Sequence, residues 1–292
     1  MPQLNRTFLF TPGNHARRVE KVFTTGCDVA ILDLEDAVAV AEKETTRASV
    51  VAALRKPRPC RGYVRVNSID TEWCFDDLEA VVGPWLDGVM LPKVERVSDL
   101  HSVDWAMANL ERRLGLEVGR IDLLPIIETA RGMGAIRDIA ASGTRVKRFS
   151  FGAGDYTRDL GLTWTLTEGE LAAARAELVL ASRMAELEAP VDTVFIHIRE
   201  HDALEASTRL GREFGFQGKL CIHPDQVALA NRIYTPDDAE VAWAEKIVAS
   251  FAQAEADGLA SIQVDGYFVD YPIVEKAQRL IDTAQAVRAQ NV

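Results

Sequence analysis

Asp122-Leu123-Leu124-Pro125-Ile126-Ile127-Glu128-Thr129-Ala130-Arg131-Gly132 is an apolar run that stops at a carboxylate and passes straight into a helix start. One strand and one helix later the pattern returns as Phe149-Ser150-Phe151-Gly152-Ala153-Gly154-Asp155. Runs that are apolar throughout, not alternating, mark strands buried on both faces, as in a parallel sheet covered by helices. The reading predicts one strand ending at Glu128, another ending near Gly152, and a carboxylate at each exit. Either carboxylate alone reads equally as a helix N-cap or first-turn acid. Together they suggest a hard-cation site with open coordination positions.

Working outward, the same unit recurs upstream. Thr7-Phe8-Leu9-Phe10 is stopped by Thr11-Pro12-Gly13-Asn14, as proline and glycine punctuate a chain. Val29 to Asp36 precedes a predicted helix over 40–54, Gly62 to Asn67 one over 75–82, and Gly88 to Lys93 one over 98–114. Downstream, a long helix is predicted over 167–187, with Thr167 and Glu170 forming a capping box. A seventh strand reads as Thr193-Val194-Phe195-Ile196-His197-Ile198 and an eighth as Lys219 to Pro224. Eight strand–helix units predict an α/β chain folded as a (β/α)8 TIM barrel over residues 1–234. An open doubly wound sheet is the alternative, but GxGxxG is missing. Residues 235–292 then form an extension: a helix over 239–256, a hairpin with its turn at Asp265-Gly266, and a last helix over 274–287.

The chain has 292 residues, with 44 acidic against 33 basic side chains and a net charge of −11. That balance argues against a nucleic-acid surface but leaves room for a local basic pocket. Cys27, Cys60, Cys74 and Cys221 contain no CxxC pair and read as small core residues. No apolar run approaches the roughly 20 residues of a membrane span, and the first residues lack a secretory core. A cytoplasmic protein that engages no membrane is expected.

Barrel enzymes gather their chemistry at the C-terminal strand ends. There stand Glu35, Asp36, Arg65, Lys93, Glu128, Asp155 and His223. Arg65, between two valines, needs a counter-ion, and Glu35 or Asp36 would serve. Asp33 either points into the barrel or caps a neighbouring turn. Asp36 fits a metal-bound water or Arg65 better than the metal itself. Two carboxylates suit Mg2+, with Mn2+ as a substitute, and the sparse His and Cys disfavour zinc. An ion chelated by a 2-oxo acid, with an arginine beside it, implies C–C bond chemistry through an enolate.

The motifs Phe8-Leu9-Phe10-Thr11-Pro12-Gly13, Leu32-Asp33-Leu34-Glu35-Asp36-Ala37-Val38, Val64-Arg65-Val66-Asn67, Leu91-Pro92-Lys93-Val94-Glu95, Ile127-Glu128-Thr129-Ala130 and Phe151-Gly152-Ala153-Gly154-Asp155 resemble the citrate lyase β-subunit-like branch of the HpcH/HpaI aldolase family. Malyl-CoA and citramalyl-CoA lyases belong to that branch. The resemblance runs from about Arg6 to the last helix. It implies Mg2+ on Glu128 and Asp155, and substrate oxygens held by Arg65 near Glu128 and Gly154, with Glu35, Asp36 and Lys93 supporting them. It also implies a coenzyme A pocket on Phe10, Arg17, Lys21, Ile222 and His223. Arg17 and Lys21 lie one helical turn apart and would jointly face a phosphate.

By the same resemblance, Asp270 in Phe268-Val269-Asp270 would be the acid/base, reaching a neighbouring subunit's site from a C-terminal lid. The family pattern usually has Met-Ile-Asp there, which leaves acyl-chain preference open. The implied activity is Mg2+-dependent cleavage of a 3-hydroxyacyl-CoA such as malyl-CoA, β-methylmalyl-CoA or citramalyl-CoA. Acetyl- or propionyl-CoA and glyoxylate or pyruvate would result, from a homotrimer or hexamer. Three alternatives stand beside it: a citrate lyase β-subunit using an acyl-carrier-protein thioester, a malyl-CoA thioesterase, and a non-catalytic acyl-CoA-binding barrel. Glu35-Asp36, where sugar-acid aldolases of the other branch usually have Glu-His, argues against that branch.

Overall fold

The short apolar runs become eight parallel strands that close into a barrel in simple order, β8 returning to pair with β1. In the computed structural model, which describes residues 4–290, these are β1 (Thr7–Pro12), β2 (Val29–Asp33), β3 (Arg61–Arg65), β4 (Gly88–Leu91), β5 (Asp122–Ile127), β6 (Ser150–Phe151), β7 (Val191–Asp192) and β8 (Gly218–Cys221). The helices between and after them are α1 (Ala16–Val22), α2 (Lys43–Leu54), α3 (Cys74–Val81), α4 (Val97–Arg113), the short α5 (Ala130–Gly134) and α6 (Ile136–Ala140), α7 (Ala153–Leu160), α8 (Ala172–Met184), α9 (His201–Phe214) and α10 (Asp225–Tyr234).

Both strand faces are buried, for different reasons. Phe8, Ile31, Tyr63, Met90, Leu124 and Leu220 fill the barrel interior, while Leu9, Ala30, Leu32, Val64, Val89 and Leu123 pack outward against the helices. Successive side chains alternate faces, so apolar residues are favoured on both and the longer runs are largely apolar.

Charged groups inside this shell come in ion-paired sets. At the N-terminal end of β5, Tyr63 Oη and Arg148 Nη1 both donate to Asp122 Oδ2, at 2.5 Å each. On the outer face of β7 and β8, Asp192 accepts from Arg175 Nε (2.9 Å) and Lys219 Nζ (3.2 Å). Arg175 also pairs with Glu168, and Ser207 links Lys219 to Glu168. Buried charges tolerate such places only when paired and hydrogen-bonded.

The wall is thinnest between β6 and β7, where Ser150↔Val191 is the sole registered pair, against five between β1 and β2. The predicted seventh strand over 193–198 is therefore corrected to Val191–Asp192. Ile196 and Ile198 in that run are exposed, at 44% and 42%. The predicted Thr167 capping box is also absent. Glu168 takes a left-handed conformation (φ 53°) to reach Arg175, and a 3-10 turn over Gly169–Leu171 opens the helix. Glu170 instead accepts from the Thr165 backbone N–H at 2.7 Å.

Residues Asn5–Asn231 form one compact unit; Leu4 and the chain from Arg232 onward form a second. The second contains α11 (Asp238–Ala256), β9 (Ser261–Val264), β10 (Tyr267–Asp270) and α12 (Tyr271–Gln290). Asp237 and Glu240 cap α11 reciprocally, at 2.8 and 3.0 Å. Asp265 and Gly266 both have positive φ (49° and 81°), as a two-residue hairpin turn requires. Phe251, Val264, Val269 and Ile281 form this unit's own core. Among the described residues no helix is long and apolar enough to cross a membrane.

Candidate active site

The barrel delivers its polar residues to one mouth through strand register. Asp33 and Arg65 are paired positions on β2 and β3, so their side chains share a face. Arg65 forks onto Asp33 through Nε (2.7 Å) and Nη2 (2.5 Å). Its Nη1 meets Glu35 at 2.9 Å, and its guanidinium lies over the Phe10 ring, 4.9 Å from the centroid. Asp33 also accepts the backbone N–H groups of Glu35 (2.9 Å) and Ala37 (3.2 Å). It therefore both points at Arg65 and caps the following turn. Burial works against charge on both partners, but each holds the other ionised: Asp33 lies below the usual carboxylate range and Arg65 stays firmly protonated.

Sequence reading missed two residues that fix the Leu34–Glu35 turn. Buried Lys43 donates to the carbonyls of Leu34 (2.9 Å) and Glu35 (2.8 Å) and to Asn67 Oδ1 (2.6 Å). Its three N–H donors are thereby all used. Asn67 is anchored in turn by Asp77. The available signal was Lys43 itself, a charged residue at a helix start whose position follows the Glu35-Asp36 pair.

Glu128 is the first residue past β5 and is buried (3% exposed). Thr129, not Glu128, is the N-cap of α5, accepting from Gly132 N at 3.0 Å. That leaves the Glu128 carboxylate free to face the mouth. Lys93, held at φ 52°, aims its backbone N–H at Glu128 Oε1 (2.8 Å), while its ammonium pairs with Glu35 and, at 3.5 Å, with Asp36. Burial above all, then the charge of Glu35 and, beyond Arg65's opposing pull, that of Asp155, push Glu128 up to about 8.

Asp155 follows the exit of β6, in the first turn of α7. The Ala153 backbone N–H of that turn donates to Thr193 Oγ1 at 2.9 Å, which ties the helix start to the chain leaving β7. Arg158 pairs with Asp155 from one turn on, at 2.6 Å.

Phe10, Arg65, Glu128, Gly154, Asp155 and Ile222 line one cavity of about 310 Å3. A second, of about 430 Å3, shares Phe10, Arg18 and Ile222 with it and adds Lys21, Ile198 and His223. Glu35, Asp36 and Lys93 face a third with Lys43 and Asn67. The expected Arg17 is exposed and lines none of the three; its neighbour Arg18 takes that place. The turn carrying Ile222 and His223 is held by buried Gln226, whose Oε1 accepts from Ile222 N at 2.9 Å. Asp270 is half-buried at the end of β10, in the second unit.

Glu128 and Asp155 are hard oxygen donors of the kind a divalent cation takes. Among the described residues no three His, Cys, Asp or Glu side chains gather as a ligand set. Glu128 and Asp155 line one cavity, and Mg2+ takes as few as two protein carboxylates while keeping several waters. Burial and the neighbouring acids Glu35 and Asp155 make Glu128 costly to ionise even with Arg65 and Lys93 nearby, a cost that a divalent cation would offset. The absence of a side chain at Gly152 lets the Glu128 carboxylate lie against that backbone, since a Cβ there would stand 2.4 Å from Glu128 Oε2. The residues fit the ion.

A (β/α)8 barrel with two acids and an arginine on one cavity and an adjoining basic-apolar cavity has the architecture of aldolase- and lyase-class enzymes. The HpcH/HpaI aldolase/citrate lyase family model matches residues 6–224. The citrate lyase subunit beta of Leuconostoc mesenteroides subsp. cremoris is 33% identical, covering 97% of this chain and 94% of that one. The L-malyl-CoA/beta-methylmalyl-CoA lyase of Cereibacter sphaeroides is 32% identical, covering 98% and 96%. The structure of CitE from Mycobacterium tuberculosis in complex with magnesium, acetoacetate and coenzyme A superposes with a TM-score of 0.77 at 27% identity, covering 97% and 98%. The chain belongs to the HpcH/HpaI aldolase/citrate lyase family and is a carbon–carbon lyase.

Proposed function

We propose that this lyase cleaves, reversibly, a 3-hydroxyacyl-CoA of the malyl-CoA, β-methylmalyl-CoA or citramalyl-CoA type into acetyl- or propionyl-CoA and glyoxylate or pyruvate. The observation that carries the reading is the junction of two chambers at Phe10, Arg18 and Ile222. One chamber holds Glu128, Asp155 and Arg65, suited to a 2-oxo acid. The other holds Lys21 and His223 among apolar residues, suited to a phosphorylated thiol ester.

Mg2+, bound by Glu128 and Asp155, would supply Lewis-acid polarisation of the 2-oxo acid's oxygens. Arg65, locked by Asp33 and Glu35, presents its remaining N–H groups to the substrate without having to be ordered on binding. Arg18 and Lys21, three residues apart on α1, share a helix face and bind phosphate together. Asp270 takes the proton of the 3-hydroxyl from a neighbouring copy's C-terminal unit. As the C–C bond breaks, the electron pair moves onto the thioester as an enolate, which is then protonated to the acyl-CoA. A lid acting this way requires a homo-oligomer.

The experiment is a panel of these thioesters with products identified, each with and without EDTA. Glyoxylate or pyruvate with acyl-CoA, abolished by EDTA and restored by Mg2+, is the expected result. Free coenzyme A with intact malate would make the protein a thioesterase. Turnover only on an acyl-carrier-protein thioester would make it a citrate lyase β-subunit. Metal-independent cleavage would remove the metal from the reading.

A further inference from the structure

At the opposite end of the barrel, Cys27 and Cys60 bring their sulfurs to 4.0 Å. They precede β2 and β3, and the first bond across that pair runs from Arg61 N to Asp28 O at 3.2 Å. The register that pairs Val29 with Arg61 offsets Cys27 and Cys60 by one residue; with strands about 4.8 Å apart and a rise of about 3.3 Å per residue, their Cα atoms stay inside the roughly 4.4–6.8 Å that a disulfide spans. The two thiols differ in setting. Cys27 is buried, at 4% exposed. Cys60 is partly exposed on a groove that it shares with Arg55, Lys56, Arg58 and Arg61. Cys74 and Cys221 are buried.

From this juxtaposition we infer that Cys60 and Cys27 form a peroxide-sensitive thiol pair, Cys60 as the attacking sulfur and Cys27 as the resolving one. The hydrogen bond from Cys27, then the charges of Arg58 and Arg61, hold the Cys60 thiol below its ordinary range despite partial burial. Asp87 lines the same groove and pairs with Arg58, but a reachable thiolate next to two arginines and beside a second thiol is the arrangement oxidation selects. The Cys60 thiolate attacks one oxygen of hydrogen peroxide; the O–O bond breaks, hydroxide leaves and is protonated to water, and Cys60 becomes a sulfenic acid. The Cys27 sulfur then attacks the Cys60 sulfur, the S–O bond breaks, and the departing hydroxide carries off the Cys27 proton as water. Two thiols are oxidised to one disulfide, one peroxide is reduced, and two waters result. Closing the sulfur–sulfur gap requires movement on the Cys27 side. Gly26 (φ +79°, with nothing within 4 Å of a Cβ placed there) supplies the slack that Pro57 and Pro59 deny on the other side.

The test exposes the purified full chain to a small excess of hydrogen peroxide, then alkylates it under unfolding conditions and maps its peptides. The expected product is lighter by two hydrogens, carries one cross-link between Cys27 and Cys60, reverts with dithiothreitol, and leaves Cys74 and Cys221 alkylated. Cys27→Ala is expected to stop at a Cys60 sulfenic acid that dimedone captures, and Cys60→Ala to give neither product. Four alkylatable thiols after treatment, oxidation of Cys74 or Cys221 as fast as Cys60, or conversion of wild-type Cys60 to sulfinic acid with no cross-link would each overturn the assignment.

Discussion

Glu128 occupies space that any side chain at Gly152 would need: a Cβ there would lie 2.4 Å from Glu128 Oε2 and 2.6 Å from its Cβ. The Gly152 backbone (φ −107°, ψ 79°) is one that other residues adopt, so the constraint is steric and not conformational. Gly152→Ala is therefore expected to displace the Glu128 carboxylate. Overpacking of this kind costs about 1–3 kcal/mol of stability. Mg2+ affinity, read by calorimetric titration, should fall by about tenfold or more, as when a ligand's supporting contacts are lost. A variant that binds Mg2+ as wild type does would remove Glu128 from the ligand set.

Arg17 and Arg18 allow a test within one helical turn. Arg18 lines both chambers and Arg17 lines neither. Arg18→Ala should raise KM for the CoA thioester about tenfold, the worth of one charge-assisted hydrogen bond of about 1.5 kcal/mol. Arg17→Ala should leave KM within twofold. The reverse ranking would return the phosphate site to the Arg17–Lys21 pair.

Asp270→Asn should cut kcat by about 10²–10⁴, the range of a lost general base, with little effect on unfolding temperature because the side chain is only half-buried. Mixed oligomers of Asp270→Asn and Glu128→Gln should regain part of the turnover if each site takes its aspartate from a neighbour. No recovery on mixing would place the aspartate and metal in one chain.

Acid stability should follow Asp192. Burial alone would raise its pKa, but Lys219 and Arg175 hold the carboxyl below the usual range. A carboxyl lowered in the folded state contributes fully above its unfolded value of about 3.9, and that contribution is lost as pH falls through the folded value. Stability should thus drop below about pH 4. Asp192→Asn, which leaves Arg175 and Lys219 short of a counter-charge, should cost about 3–5 kcal/mol at neutral pH and flatten the acid limb. Denaturant midpoints across pH 3–7 measure both effects.

Much of the architecture was legible because burial on both faces writes itself as continuous apolar runs, and Glu128 and Asp155 follow two of them. β7 was not, because its inner Val191 is paired with a charged outer Asp192. The apolar residues of 194–198 instead serve the chain beyond the strand. Arg18 was missed for a geometric reason: Arg17–Lys21 and Arg18–Lys21 are both helix-surface neighbours, and only packing decides which face meets the cavity. Lys43 was hidden because a lysine in a helix start normally points to water. Here the carbonyls of Leu34 and Glu35 receive its ammonium.

The single rung between β6 and β7 makes that seam the place where the wall exchanges its amide protons most readily, since opening there breaks the fewest ladder bonds. The Ala153–Thr193 hydrogen bond spans the same seam and acts as a lateral stitch just above the gap. Exchange at Ala153 should therefore track the Thr193 hydroxyl rather than the strand pairing.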